Sequence, residues 1–221
     1  MKKALVLLQG IATKHYIEKA LVDSAIPTDQ YDLIEYIPTE KYLDKGSWFS
    51  WILLRVPFIR KHWDRFGDIF RYFYNKKTRK KVCSVVNEYI SELKKKDYEV
   101  DILSHSLGSI IGLTCGKKKS PLSVGKFYAF GSPLGFAFKP FRSIVNKHVD
   151  KYSYNLSGER FHLVFNDEDI VSKKEINIKG KKKINDIFKS SFISFPDIGD
   201  GHSVKSYLQD FYLKHPNFFT R

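Results

Sequence analysis

Tyr98-Glu99-Val100-Asp101-Ile102-Leu103 runs directly into Ser104-His105-Ser106-Leu107-Gly108, and these eleven residues decide the fold. The first six read as a strand. From Ser106 to Gly116 the period changes: Leu107, Ile110, Ile111 and Leu113 return at helical spacing among small residues. A strand that breaks into a helix within five residues needs a sharp turn flanked by small side chains. Gly108 fits the last glycine of a G-x-S-x-G elbow, and Ser104 stands where the first glycine would be. Ser106 then occupies the tip, with its hydroxyl above the sheet edge. The helix start behind it offers unpaired backbone N–H groups and the positive end of a dipole to a developing oxyanion.

A serine nucleophile needs a base, and the base needs an orienting carboxylate. In a strand–helix frame both follow the serine, acid before histidine. The run Phe161–Phe165 reads as a strand and ends in Asn166-Asp167-Glu168-Asp169-Ile170-Val171. Asp169 is the candidate acid, because the apolar pair after it can anchor the loop; Asp167 is its rival. His202, within Gly199-Asp200-Gly201-His202-Ser203, is the candidate base. His15 and His62 precede the serine, and His105 is committed to the turn. His148 and His162 come before the acid, while His215 remains a weaker rival.

Outward from the elbow, strands and helices alternate. Ala4–Leu8 is a continuous apolar run, as a buried parallel strand should be. Lys14–Ser24 has helical spacing, Tyr31–Ile37 alternates like a strand, and Thr78–Lys96 carries Val82, Val85, Val86, Tyr89, Ile90 and Leu93 on one helical stripe. Lys126–Phe130 is a further strand, ending in Gly131-Ser132-Pro133, and a last helix spans about Ser203–Tyr212. This order predicts an α/β class with a mostly parallel sheet and helices on both faces. Ligands in such sheets bind at the carboxyl ends of the strands.

Ser104–Gly108, Gly131-Ser132-Pro133, Asn166–Val171 and Gly201-His202 together resemble the α/β-hydrolase fold, in particular its small lipases and esterases. The resemblance implies a three-layer α/β/α domain over residues 1–221 and a Ser106–Asp169–His202 triad. It also implies an oxyanion loop after the first strand. That loop is usually His-Gly-x and here reads Gln9-Gly10-Ile11, so the hole would be formed by the backbone N–H groups of Leu107 and Ile11. By the same resemblance, Ala4–Leu8 would be the family's third strand, and the expected likeness is to its minimal members.

Residues 45–77 form an insertion between sheet units. Trp48, Ile52, Val56, Ile59, Trp63, Phe66, Phe70 and Phe73 recur every three or four residues, a helical stripe that Pro57 splits. A two-helix cap over Ser106 is expected, with aromatics inward and Arg60, Lys61, Arg65 and Arg71 outward. The same aromatics could instead belong to the core. Nearly all of the basic excess, +14 over the chain, sits in two segments. Ten basic and two acidic residues lie from Arg55 to Lys81, and seven Lys with two acids from Lys173 to Lys189. Such fields attract anionic surfaces. No nucleic-acid recognition motif accompanies them, so the expected contact is peripheral, with an anionic membrane.

At 43% hydrophobic and 15% aromatic the chain can bury a core, which excludes wholesale disorder. Cys83 and Cys115 are too few for a disulfide framework, and no Cys/His cluster has zinc spacing. The five-residue run after Lys3 is below the roughly 7–15 residues of a signal-peptide core, so a cytoplasmic location is expected. The function these features imply is hydrolysis of a small ester or acyl substrate, without metal or cofactor. A thioesterase or amidase with the same triad is the alternative, as is a non-catalytic protein of this fold that binds anionic membranes or a partner.

Overall fold

The computed structural model describes residues 1–9, 28–42, 72–115, 124–135, 139–152, 161–166, 169, 192–195 and 207–208. Six strands form one sheet: β1 (Lys2–Gln9), β2 (Leu33–Tyr36), β3 (Tyr98–His105), β4 (Phe127–Phe130), β5 (Phe161–Asn166) and β6 (Phe192–Phe195). The spatial order is β2-β1-β3-β4-β5-β6, and every pairing is parallel. The chain leaves β1 toward β2, then crosses back to lay β3 on the other side. β1 and β3 therefore flank a switch point of the strand order, the place where ligands bind in such sheets. Their register pairs Gln9 with His105, so the two strands end level beside Ser106.

The buried strands are apolar on both faces because both are covered. Ala4, Val6, Leu8, Val100, Ile102, Phe127, Ala129 and Leu163 face one core. Leu5, Leu7, Leu103, Tyr128, Phe130 and Val164 face the other. Three helices cover the first face: α1 (Lys76–Lys95), α2 (Leu107–Cys115) and α3 (Lys139–Tyr152). The second face is met, among the described residues, by Tyr207 and Leu208, with Tyr31, Ile34 and Tyr36 partly buried against it.

Asn75 caps α1, its Oδ1 accepting from the N–H groups of Lys77 and Thr78 at 3.0 and 3.1 Å. Val82, Val86, Ile90 and Leu93 are the buried members of the expected stripe. All nine residues of α2 are buried, which puts this helix at the centre of its layer rather than on the surface.

Neither α3 nor β6 is among the elements expected from the sequence. On α3 Val145 and Val149 are fully buried among the residues whose burial is described. The expected helix at Lys14–Ser24 and most of the 45–77 insertion lie outside the described residues. Phe73, the last member of the insertion's aromatic stripe, is buried in the main core, with its ring edge-on to His148 at 4.7 Å. Lys76 and Lys77, at the end of the expected insertion, open α1. Among the described residues no helix is long and apolar enough to cross a membrane.

Candidate active site

Between β3 and α2 stands one residue, Ser106, with φ of 54°. The left-handed region costs a residue with a Cβ about 1–2 kcal/mol, so the surroundings must hold it there. Its N–H donates to Phe130 O at 3.0 Å, which ties the tip to the end of β4. Its carbonyl accepts from the N–H of Ser109 at 3.1 Å and from the Ser109 hydroxyl at 2.6 Å. Ser109 Oγ in turn lies 2.8 Å from Ser132 Oγ, just past β4.

Small residues around the tip have separate reasons. A methyl group on Gly108 would run into the carbonyl of Leu8, so α2 starts in contact with the backbone of β1. Ser104 occupies the position expected for glycine. Its hydroxyl is used: it donates to Tyr128 O at 2.9 Å and is fully buried, a cross-strand tie that glycine could not make. Leu107, named for the oxyanion hole, is the first residue of α2, where an N–H has no earlier helical carbonyl to reach. The end of β1 is pinned beside it, as Thr39 Oγ1 donates to Gln9 O at 3.0 Å and the Ile37 N–H to Leu7 O at 3.1 Å.

Asp169 lies three residues beyond β5 and is 1% exposed. The hydroxyl of Tyr207, itself wholly buried, donates to Asp169 Oδ2 at 2.7 Å. The Tyr207 ring continues this contact back to the elbow, with centroids 5.8 Å from His105 and 6.3 Å from Phe130. Gly131 makes room for it. This residue has φ of 56°, and a Cβ there would stand 3.1 Å from both His105 Nε2 and Tyr207 Cε2.

The structure thus puts Ser106, Leu107 and Asp169 at the carboxyl ends of neighbouring parts of the sheet, with β4 between β3 and β5. His202 and Ile11, and the rivals Asp167 and His215, lie outside the described residues. Sequence reading did not single out Tyr207, the residue bonded to Asp169. Helical spacing assigned it to the last helix, and nothing in that spacing points 38 residues back to Asp169.

A second polar group sits well away from these strand ends. Asp101 accepts from the Lys126 N–H at 2.6 Å and the Tyr31 hydroxyl at 3.0 Å. Burial raises the Asp101 carboxyl above its usual range and pushes the Tyr31 and Tyr128 phenols up. His162, stacked on Tyr128 at 5.1 Å, is lowered by burial and then by Lys126. Asp101 precedes Ser106 by five residues, about 16 Å along an extended strand, which separates this group from the elbow. Among the described residues, no cluster of three His, Cys, Asp or Glu could hold a metal ion.

No protein-family model matches the sequence, and no curated protein matches it. Among solved structures, an esterase of Pyrococcus furiosus is similar in overall shape, with a TM-score of 0.49 and 11% sequence identity, over 96% of this chain and 77% of that one.

Proposed function

We propose that this protein is a serine hydrolase that cleaves carboxylic esters of small acyl or lipid substrates. The observation that carries the reading is the conformation of Ser106. A strained, left-handed serine between a parallel strand and a helix start is a costly arrangement for a mere connection, and it suits a nucleophile elbow. A buried carboxylate past the end of β5 supplies the second member such a site requires.

In this reading Ser106 Oγ attacks the ester carbonyl. His202 takes the serine proton and then donates it to the leaving alcohol, while Asp169 fixes the imidazole tautomer and stabilises the imidazolium. The N–H groups of Leu107 and Ile11 hold the oxyanion, each contributing about 3–4 kcal/mol to the transition state. Water, activated by the same imidazole, releases the acyl group. The scheme uses no metal or organic cofactor. The basic segments carry a cytoplasmic enzyme to anionic membrane surfaces.

A series of p-nitrophenyl esters from acetate to palmitate tests the reading. Wild-type protein should hydrolyse part of the series, and Ser106→Ala should lose the activity while keeping its fold. Activity retained by Ser106→Ala would remove Ser106 from its role.

A further inference from the structure

We infer that Tyr207 is a positioning residue for this reaction, holding the Asp169 carboxylate in the orientation the base requires; the inference rests on the serine-hydrolase reading. A carboxylate buried away from water needs donors to remain an acceptor of fixed direction. The Tyr207 hydroxyl is such a donor, at 2.7 Å from Oδ2. A phenol donating to an ionised carboxylate makes a charge-assisted bond, stronger than a neutral pair. Carboxylate oxygens have lone pairs for several donors, so a bond from Tyr207 is compatible with one from the imidazole N–H of His202.

What distinguishes Tyr207 from an ordinary core tyrosine is where its ring is held. It packs on His105, the residue before the nucleophile, and on Phe130, whose carbonyl receives the Ser106 N–H. Gly131 lies against the same ring, where a Cβ would crowd both Tyr207 and His105. One tyrosine therefore connects the carboxylate to the frame that strains Ser106. Any drift of Asp169 relative to the elbow must move a fully buried ring.

Tyr207→Phe keeps the ring and removes the hydroxyl. With a soluble short-chain p-nitrophenyl ester, kcat should fall about tenfold or more, though less than the roughly 10⁴-fold that follows loss of a triad carboxylate's function. KM should stay within about twofold, because the ring and the pocket are unchanged. The discriminating arm is a double-mutant cycle with Asp169→Asn. If Tyr207 acts through the carboxylate, Tyr207→Phe should have almost no further effect in the Asp169→Asn background. Equal losses in both backgrounds, or a kcat within twofold of wild type, would overturn the assignment. Should Tyr207→Phe fold poorly, a fluorotyrosine at 207 retains the bond while changing the acidity of the phenol. A kcat that shifts with that acidity supports the role, and an unchanged kcat overturns it. Wild-type protein that shows neither ester hydrolysis nor labelling of Ser106 by a fluorophosphonate would instead defeat the hydrolase reading, and this assignment with it.

Discussion

Ser106 carries backbone strain that a nucleophile needs and a structural serine does not. Its φ of 54° suits glycine better than any residue with a Cβ. Ser106→Gly and Ser106→Ala should both be inactive, yet differ in stability. The glycine variant should be the more stable by about 1 kcal/mol in denaturant unfolding, since alanine keeps the left-handed cost. An alanine variant as stable as the glycine one would show that the turn is not strained. Asp101 gives a second test at this scale. Its carboxyl is raised above the unfolded value, chiefly by burial, so the folded state holds this proton more tightly than the unfolded chain. Its contribution to stability is complete below the unfolded pKa of about 3.9 and is lost as pH rises through the folded value. Asp101→Asn keeps an acceptor for the Lys126 N–H and should flatten that part of the stability profile. An unchanged slope in Asp101→Asn would assign it to another group.

Elements became legible in the sequence where a local rule sufficed. β1, β3, β4 and β5 announce themselves as short apolar runs because parallel strands are buried on both faces. α1 shows because five of its residues, Thr78, Val82, Val86, Ile90 and Leu93, recur along one buried face. The elbow shows because strand, turn and helix start fall within eleven consecutive residues. β6 is only four residues long, and α3 carries several charged residues among its apolar ones. The Tyr207–Asp169 bond depends on tertiary placement alone. So does the packing of α1 on α2, where Asn87 Nδ2 donates to Cys83 O at 2.7 Å and to Cys115 O at 2.9 Å. The two thiol sulfurs at that contact are 2.7 Å apart. Burial pushes the Cys115 thiol up, which keeps it protonated near neutral pH and slows exchange. With oxidised glutathione at alkaline pH the pair should form a disulfide, giving two protons and two electrons to the oxidant. Intact mass should then fall by two hydrogens, and Cys83→Ser should abolish the change. A wild-type mass unchanged after prolonged oxidation would show that α1 and α2 hold the sulfurs apart.

At the scale of the molecule, the parallel sheet and its switch point between β1 and β3 gather the candidate site, and the basic charge is the proposed route to an anionic surface. Lys76, Lys77, Lys80 and Lys81 are exposed on the first turns of α1, at the positive end of its dipole. Cations there cost stability rather than add to it, and the proposed contact with an anionic surface would offset that cost. Binding to vesicles should rise with anionic lipid content and weaken with salt, as the Debye length contracts to about 3 Å at 1 M. Replacing these four lysines with Gln should reduce vesicle binding and leave hydrolysis of a soluble ester nearly unchanged. Equal binding of the wild type to neutral and anionic vesicles would exclude an electrostatic contact. The central claim is that Ser106 is an activated nucleophile, and a fluorophosphonate probe tests it most directly, with the modified peptide identified by mass spectrometry. The account predicts one label, on Ser106, absent from Ser106→Ala; a folded wild-type protein left unlabelled, or labelled on another residue, would contradict it.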